Sequence, residues 1–234
     1  MTNLDILKKI FYLIFSFDKD IYQIVFTSLG LTFFSILFAT VIAVPLAFII
    51  DFSNYKTKKF LIAFINSLTS LPTVVIGLIV YSFISRKGIL GFTGLLFTPV
   101  AIIIGQTILA IPIITSTIIA GFSKIDSKLY ETLKTLGADK YQIFLGIISE
   151  TKILITTALL GGFGRIIGEV GVSMMLGGNI KRYTRTMTTA IALETSKGEF
   201  EFALSLGIIL LFIALSINFI IHLFLKREDK WKQI

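Results

Sequence analysis

Cysteine is absent from the 234 residues of this sequence, and histidine occurs only once. Without cysteine the chain has no disulfide, no thiolate metal site and no thiol nucleophile. The single histidine, His222, stands near the end of a long apolar run, where its ring can reach a membrane interface. The sequence also lacks a Gly-x-x-x-x-Gly-Lys-Ser/Thr phosphate loop. We therefore expect no catalytic residue, no metal site and no cofactor, and no ATP hydrolysis by this chain alone.

Charge is scarce as well. Charged residues make up 15% of the chain, against about 25% in globular domains, and the mean hydropathy is +0.89. Four stretches contain no Asp, Glu, Lys or Arg, namely 21–50, 60–85, 88–123 and 202–225. Each exceeds the roughly 18 apolar residues that mark a membrane-spanning helix. The sequence thus predicts an integral membrane protein. Its net charge of +8 comes from short clusters beside the apolar runs, typical of lipid headgroup contacts rather than nucleic-acid binding.

The chain is predicted to form one all-α transmembrane domain over residues 1–234. Its five predicted spans lie at about 22–50, 60–84, 95–121, 152–177 and 202–225. Residues 1–21 contain an apolar run that is too short to span, so we predict an interfacial helix rather than a signal peptide. The distribution of Lys and Arg weakly favours a cytoplasmic C-terminus.

The connection 122–151 is long and patterned. Leu129, Leu133 and Leu136 are predicted to lie on one face of a short amphipathic helix. Gly137 can adopt the left-handed conformation that ends such a helix, and Asp139 can cap the next one. The residues alone leave two interpretations open, a surface hairpin that only joins two spans and a docking element.

The spacing of Glu131, Gly137 and Ile147 resembles the coupling loop of ABC-importer permeases. The family pattern is Glu-Ala-Ala, three residues, Gly, nine residues, Ile, one residue and Leu-Pro. Here Thr132 and Leu133 replace the alanines, and Ser-Glu replaces Leu-Pro, so the sharpness of entry into the fourth span is left open. In the family this loop is cytoplasmic and docks into a cleft of the ATPase subunit. The resemblance implies four coupling residues: Glu131, Gly137, Ala138 and Ile147.

A second resemblance lies further along the chain. The segment "GRIIGEVGVSMMLGGNI" followed by "TRTMTTAIALETSKGEF" is similar to the tungstate permeases, a branch beside the molybdate and sulfate permeases. This implies the ABC importer type I permease fold, with five transmembrane helices, an N-terminal interfacial helix and a cytoplasmic coupling helix. It also implies a prokaryotic cell membrane, an oxyanion as substrate, and four kinds of partner. They are a second copy of the chain, two cytoplasmic ATPases that bind the ATP, an extracytoplasmic binding protein and membrane lipid.

Polar residues set in the apolar spans are the candidates for lining a pathway or gate. A hydroxyl or amide can donate to an anion without holding it tightly, although a bond to the residue's own helix carbonyl is the alternative for each. These candidates are Thr69, Ser70, Thr73, Gln106, Thr107, Ser173, Arg165 and Glu169. Lys181, Arg182 and Arg185 follow the fourth span. They are candidates for docking the binding protein, with headgroup contact as the alternative.

Arg165 and Glu169 are the exceptional pair, because a charge at a helix centre costs roughly 2.5–3.5 kcal/mol to insert. Their spacing of four residues allows them to neutralise each other on one helix face. Either Arg165 is a cation near the pathway, kept by Glu169 from trapping a dianion, or the pair only fixes packing. Two other protein classes fit less well. A secondary transporter predicts inverted repeats and several mid-span carboxylates, and a membrane scaffold leaves the coupling loop unexplained.

Overall fold

The computed structural model describes residues 3–16, 18–51, 53, 55–122 and 128–231. Eleven α-helices and one short 3₁₀ turn, Gly91–Thr93, are the regular elements of these described residues. In chain order the helices are α1 (Asn3–Phe15), α2 (Lys19–Asp51), α3 (Tyr55–Thr69), α4 (Thr73–Ile84), α5 (Pro99–Phe122), α6 (Lys128–Thr135), α7 (Lys140–Glu150), α8 (Lys152–Ile167), α9 (Gly171–Gly177), α10 (Met187–Lys197) and α11 (Phe200–Trp231).

Helices α2 and α5 form the centre of the bundle and pack along each other. Helices α3, α8 and α9 pack onto α5, while α11 packs onto α8 and α10. Ala39, Ala43 and Ala47 of α2 are fully buried in this core. Because residues four apart lie on one face of a helix, the three small side chains let α2 approach its neighbours closely.

The all-α, multi-span prediction is confirmed. Three described helices are long and apolar enough to cross a membrane: α2, α5 and residues 200–225 of α11. Two bent helix pairs pass the same test when each pair is counted as one span, which brings the number to five. One pair is α3 with α4, and the other is α7 with α8.

The predicted span 60–84 is broken near its middle. Helices α3 and α4 meet at 92°, and the chain between them contains Pro72 in an extended conformation. Proline has no N–H to donate and disfavours the helical conformation of the residue before it. Pro72 therefore accounts for the sharp bend. The apolar composition of the span, taken alone, does not predict it.

The prediction of a single helix over 152–177 is wrong. Helix α8 ends at Ile167, the chain is non-helical over 168–170, and helical structure restarts as α9 at Gly171. Glycine is a poor helix former, and the carboxylate of Glu169 accepts hydrogen bonds from the N–H groups of Gly171 and Val172. These bonds satisfy donors that are free only at the start of a helix, so they favour a new helix over a continued one.

The entry into the fourth span is sharp despite the missing proline. Helices α7 and α8 meet at 72°. The joint is Thr151, whose backbone departs from helical geometry (φ −98°, ψ 10°) and whose hydroxyl donates to the carbonyl oxygen of Ile147 at 2.7 Å. Such a bond from threonine to its own helix bends a helix, and Thr151 directly follows Ser149 and Glu150, the two residues that replace Leu-Pro of the family pattern.

The N-terminal helix predicted from residues 1–21 is present as α1. It packs against α11, where Lys9 and Glu201 form an ion pair at 3.6 Å. Ile10 is buried, while Phe11, Tyr12 and Phe15 are exposed. The placement of this helix at a membrane interface stays a prediction. Residues 123–127 of the predicted coupling loop lie outside the described residues.

The close packing of α5 against α9 provides a test of the fold. A methyl group added at Gly105 would lie 2.5 Å from Val172 Cγ1 and 2.5 Å from Leu176 Cδ1, whereas one added at Gly207 of α11 meets nothing within 4 Å. We expect Gly105→Ala to destabilise the protein by about 1–3 kcal/mol through overpacking. Gly207→Ala, the matched control, should be neutral or slightly stabilising. Thermal unfolding in detergent measures both, and equal midpoints for the two variants would contradict the packing described.

Candidate functional site

The hairpin formed by α6 and α7 contains the four predicted coupling residues. Gly137 ends α6 with a φ of +81°, in the left-handed conformation expected from the sequence. The N–H of Ala138 donates to the carbonyl oxygen of Leu133 at 3.1 Å, as in a helix C-cap. Asp139 caps α7 by accepting from the N–H of Gln142 at 2.7 Å. The turn between the two helices is thus defined by local bonds.

Sequence analysis missed the reciprocal half of this cap. The side-chain oxygen of Gln142 accepts from the N–H of Asp139 at 2.9 Å, which completes a capping box. The signal was available, because an Asp followed three residues later by Gln before an apolar run marks such a box. The box fixes the direction in which α7 leaves the glycine turn.

The hairpin is also fixed to the bundle. Leu133 of α6 covers Gly146 of α7, where an added methyl group would lie 2.9 Å from Leu133 Cδ1. Phe144 packs edge-on against Phe48 of α2 with ring centroids 5.0 Å apart. Ile147 is buried in the main core, whereas Glu131 is exposed. The hairpin therefore presents a polar side chain outward on a support that is continuous with the spans.

Arg165 and Glu169 stay close across the break between α8 and α9, although they do not share one helix. An Nη1 atom of Arg165 lies 3.7 Å from Oε2 of Glu169, while Oε1 of Glu169 accepts from the N–H of Gly171 at 2.7 Å. The Arg165 side chain is 56% exposed and the Glu169 side chain only 5%. The Glu169 carboxylate is thus buried and held by two interactions. Arg165 is only loosely paired with it, so other N–H groups of its guanidinium can donate to another acceptor.

The two helix breaks lie side by side. A methyl group added at Gly171 would lie 3.0 Å from the Thr73 hydroxyl and 3.2 Å from Oε1 of Glu169. Thr73 is half-buried at the start of α4, while Thr69 and Ser70 before it are exposed. The Thr69 hydroxyl donates to the carbonyl oxygen of Asn66, the local bond that the sequence left as an alternative. Of these three residues, Thr73 is therefore the one that approaches the Arg165–Glu169 pair.

Gln106, Thr107 and Ser173 lie inside the subunit rather than on an open surface. Gln106 is only 2% exposed. Its Nε2 donates to the Ser173 hydroxyl at 3.2 Å, and its Oε1 accepts from the Ser35 hydroxyl at 3.0 Å. The Thr107 hydroxyl donates to the carbonyl oxygen of Ser35 at 3.2 Å. In this conformation the three candidates link α2, α5 and α9, and Ser35 is the partner that sequence analysis missed.

The three cations that follow α9 are all paired with acidic residues, Lys181 and Arg182 with the distant Asp20 and Arg185 with the nearby Glu194. Lys181 Nζ lies 2.6 Å from a carboxylate oxygen of Asp20, and Arg182 Nη2 lies 3.4 Å from the other. Arg185 is largely buried and lies 3.4 Å from Glu194. The sequence alone gave no signal for these pairings. They reduce the positive charge that Lys181, Arg182 and Arg185 were expected to offer to a partner.

A second polar pair that the sequence did not single out lies on α3 and α5. The Ser116 hydroxyl donates to Oδ1 of Asn66 at 2.7 Å, on an exposed face. Among the residues that the structure describes, no group of three or more His, Asp or Glu side chains is arranged to hold a metal ion. The groups that the described site offers to a ligand are therefore hydroxyl and amide side chains and the exposed guanidinium of Arg165, which lies beside the two helix breaks.

The chain is similar to known proteins over most of its length and most of theirs. The chain is 39% identical over 234 residues to the tungstate uptake system permease protein TupB of Campylobacter jejuni, covering 95% of this chain and 98% of the relative. It is 38% identical over 210 residues to TupB of Peptoclostridium acidaminophilum, covering 90% and 92%. A solved bacterial alginate ABC transporter, in complex with an alginate pentasaccharide-bound periplasmic protein, shares the fold with a TM-score of 0.69 at 21% identity, over 89% of this chain and 80% of that one.

A family model matches most of the chain as well. The model for the binding-protein-dependent transport system inner membrane component matches residues 39–230. That range includes the α6–α7 hairpin, both helix breaks and the cations after α9. The resemblance of the sequence to ABC-importer permeases is thereby confirmed, and the chain belongs to the family of binding-protein-dependent transport system inner membrane components.

Proposed function

We propose that this chain is the membrane subunit of an ATP-driven importer of tungstate. The observation that carries the proposal is the match to two tungstate uptake permeases at 38% and 39% identity, over at least 90% of this chain and of each relative. Molybdate and sulfate, which are also tetrahedral dianions, are the alternative substrates. In this proposal ATP is bound and hydrolysed by separate ATPase subunits, and the permease itself is not an enzyme.

The α6–α7 hairpin is the proposed docking site for the ATPase. Its Glu131 is exposed, its Gly137 turn is left-handed, and its Ile147 is buried in the core, so a force applied to the hairpin reaches the spans through packed side chains. With the hairpin in the cytoplasm, α11 ends on the same side, which gives a cytoplasmic C-terminus in the cell membrane of a prokaryote. The opposite end of the bundle, with Lys181 and Arg182, is the proposed docking face for an extracytoplasmic binding protein.

Arg165 and Glu169 are the proposed contact with the oxyanion. An exposed guanidinium in a membrane-spanning segment is stable only if it meets water, an anion or a partner subunit. Glu169 lowers the net charge beside the pathway, which keeps Arg165 from holding a dianion too long. A symmetric pair of subunits would bring two such cations to one axis, and this supports a homodimer around a shared pathway.

The assembly predicts a defined cross-link. Gly161 is exposed on the face of α8 that leads to Arg165, and a Cβ added to it would meet none of the described residues within 4 Å. Since the chain has no cysteine, Gly161→Cys should form a disulfide between two copies under mild oxidation. Leu215→Cys, on the exposed face of α11, is the control and should stay monomeric. Gel electrophoresis of oxidised membranes reads the result. Failure of every single cysteine along 160–178 to cross-link would contradict a dimer built on this face.

Substitution of Gly137 tests the α6–α7 hairpin, and Gly198, which has the same backbone conformation, is the matched control position. Gly137 and Gly198 have φ values of +81° and +83°, and a Cβ added at either would meet no atom within 4 Å in the part of the chain that the structure describes. Valine at either position should cost about 1–2 kcal/mol in backbone strain. Only Gly137→Val should uncouple ATPase stimulation from uptake in proteoliposomes that contain the whole transporter. If Gly198→Val uncouples equally, or Gly137→Val transports normally, the hairpin is only a connector.

The Arg165–Glu169 pair predicts a separation of folding from transport. Glu169→Gln keeps a side-chain oxygen for the N–H of Gly171 but removes the charge, so we expect uptake of labelled tungstate to fall about tenfold, or about 1.4 kcal/mol in the barrier. Arg165→Gln leaves a buried carboxylate without its cation and should also lower stability by about 1–3 kcal/mol. The double variant should recover stability but not uptake.

Proteoliposomes with the complete transporter measure that uptake, with unlabelled molybdate and sulfate as competitors. Asp51→Asn is the control, because it removes the same kind of charge from a separate, half-buried ion pair, that of Asp51 with Lys58 at 2.6 Å. Wild-type uptake by the double variant would assign the pair to packing alone. Equal competition by all three anions would contradict tungstate as the preferred substrate.

A further inference from the structure

The turn between α4 and α5, residues 85–98, is built by specific bonds although it joins two spans at the bundle surface. The N–H of Gly88 donates to the carbonyl oxygen of Ser85 at 2.7 Å, and that of Leu90 donates to Phe83 at 2.9 Å. Gly91 packs so closely that a methyl group there would lie 2.5 Å from the Ser85 carbonyl oxygen. The turn therefore has one defined shape, which only glycine at these points permits.

The far end of this turn is tied to α9. Phe97 adopts a left-handed conformation with φ +63°, and its N–H donates to the carbonyl oxygen of Leu176 at 2.9 Å. Its ring covers Gly178, where a methyl group would lie 2.8 Å from Phe97 Cδ1. Phenylalanine rarely adopts this conformation, and strain of this kind persists where the surroundings hold it.

A cavity of about 550 Å³ lies between the turn and the end of α4. Arg86 and Lys87 are its charged residues, and Tyr81, Ile84, Leu96 and Phe97 supply much of the remaining wall. None of the described residues that line it is acidic. The ion pairs found among the described residues include neither cation. Arg86 and Lys87 are exposed, and two positive charges without an acidic partner beside a largely apolar cavity suit an anionic ligand.

Two large apolar side chains stand beside the cations. Ile89 is 78% exposed and Phe92 is 86% exposed. The turn joins the end of α4 to the start of α5, and both helices belong to membrane spans. It is therefore expected at the boundary between the hydrocarbon core and the headgroups. An inorganic oxyanion gains nothing from Ile89 and Phe92, whereas a lipid with a charged headgroup matches both the cations and the apolar side chains.

We propose that this cavity binds the phosphate headgroup of an anionic phospholipid through Arg86 and Lys87, with an acyl chain against Ile89 and Phe92. The lipid would cover the apolar side chains of the turn and neutralise its charge. Because Phe97 ties the turn to α9, an occupied site would also hold α9, the helix that Glu169 caps. The proposal does not depend on which anion the protein transports.

The test counts phospholipid bound to the purified full-length protein. The protein is reconstituted in phosphatidylcholine nanodiscs with increasing phosphatidylglycerol, and retained lipid is measured by native mass spectrometry after release. Arg86→Gln/Lys87→Gln should retain about one phosphatidylglycerol fewer per chain and need roughly tenfold more of it for half-occupancy. It should also lose the rise in unfolding temperature that phosphatidylglycerol gives the wild type. Ile89→Ser/Phe92→Ser should weaken retention in the same direction.

The matched control is Lys181→Gln/Arg182→Gln, at the same end of the bundle, because its cations are already paired with Asp20. It should retain phosphatidylglycerol like the wild type. Unchanged retention in the Arg86/Lys87 variant would overturn the proposal. So would stabilisation by sodium tungstate or phosphate in pure phosphatidylcholine that depends on Arg86, since it would assign the site to a free anion. Loss of stimulation by an added binding protein, with lipid retention intact, would assign the surface to that protein.

Discussion

One buried carboxylate determines how the second half of the bundle is assembled. Glu169 accepts from the first N–H groups of α9 through Oε1, faces Arg165 of α8 through Oε2, and accepts the Thr188 hydroxyl of α10 at its carbonyl oxygen. Three helices therefore meet at a single residue in a segment that is itself non-helical. The hydrogen bonds to Glu169 are stronger in a buried site than in water, and an unmet partner there would be costlier, whereas the pair with the exposed Arg165 gains less. The break in the fourth span is possible because this residue satisfies the groups that the break leaves free.

Glycine residues allow α4 and α5 to pack closely against α9, the helix that starts at Glu169's hydrogen bonds. Gly77 of α4 lies against Val172 and Met175 of α9, and Gly105 of α5 lies against Val172 and Leu176 of the same helix. In lipid there is little hydrophobic gain from bringing two helices together, so close packing and interhelical hydrogen bonds supply the association energy. Helix α9 is only seven residues long. It depends on these contacts and on the Gln106–Ser173 bond rather than on its own length for its position.

The parts of the structure that the sequence predicts are those determined by neighbouring residues. The apolar runs predict the spans, and Gly137 and Asp139 predict the end of α6 and the start of α7. The close approach of Arg165 to Glu169 also follows from a spacing of four, although the helix ends between them. The hydrophobic run 60–84 predicts a span but not the 92° bend within it, because a proline in a span can be either a tolerated kink or a break.

Contacts between residues that are distant in the sequence could not be predicted, because they depend on how the helices pack and not on neighbouring residues. Asp20 meets Lys181 and Arg182, and Ser35 meets Gln106, because the bundle brings separate helices together. Serine and threonine in a span bond to their own helix or to another one with equal chemical ease. The buried positions of Gln106, Thr107 and Ser173 therefore could not be separated from pathway positions by residue type alone.

The N-terminal half of α2 has a consequence for biosynthesis. Gln23, Ser28 and Asp20 bond to Arg182, Met187 and Lys181, partners that lie 159 to 161 residues further along the chain. At about 5–20 residues per second, the ribosome makes those partners roughly 8 to 30 seconds after the first span has left it. During that interval the buried Ser28 hydroxyl has only its own helix to bond, and Asp20 stands without its cations. The first span to enter the membrane is thus among the last to be completed, and an insertion machinery that retains it until α10 arrives would protect the nascent protein.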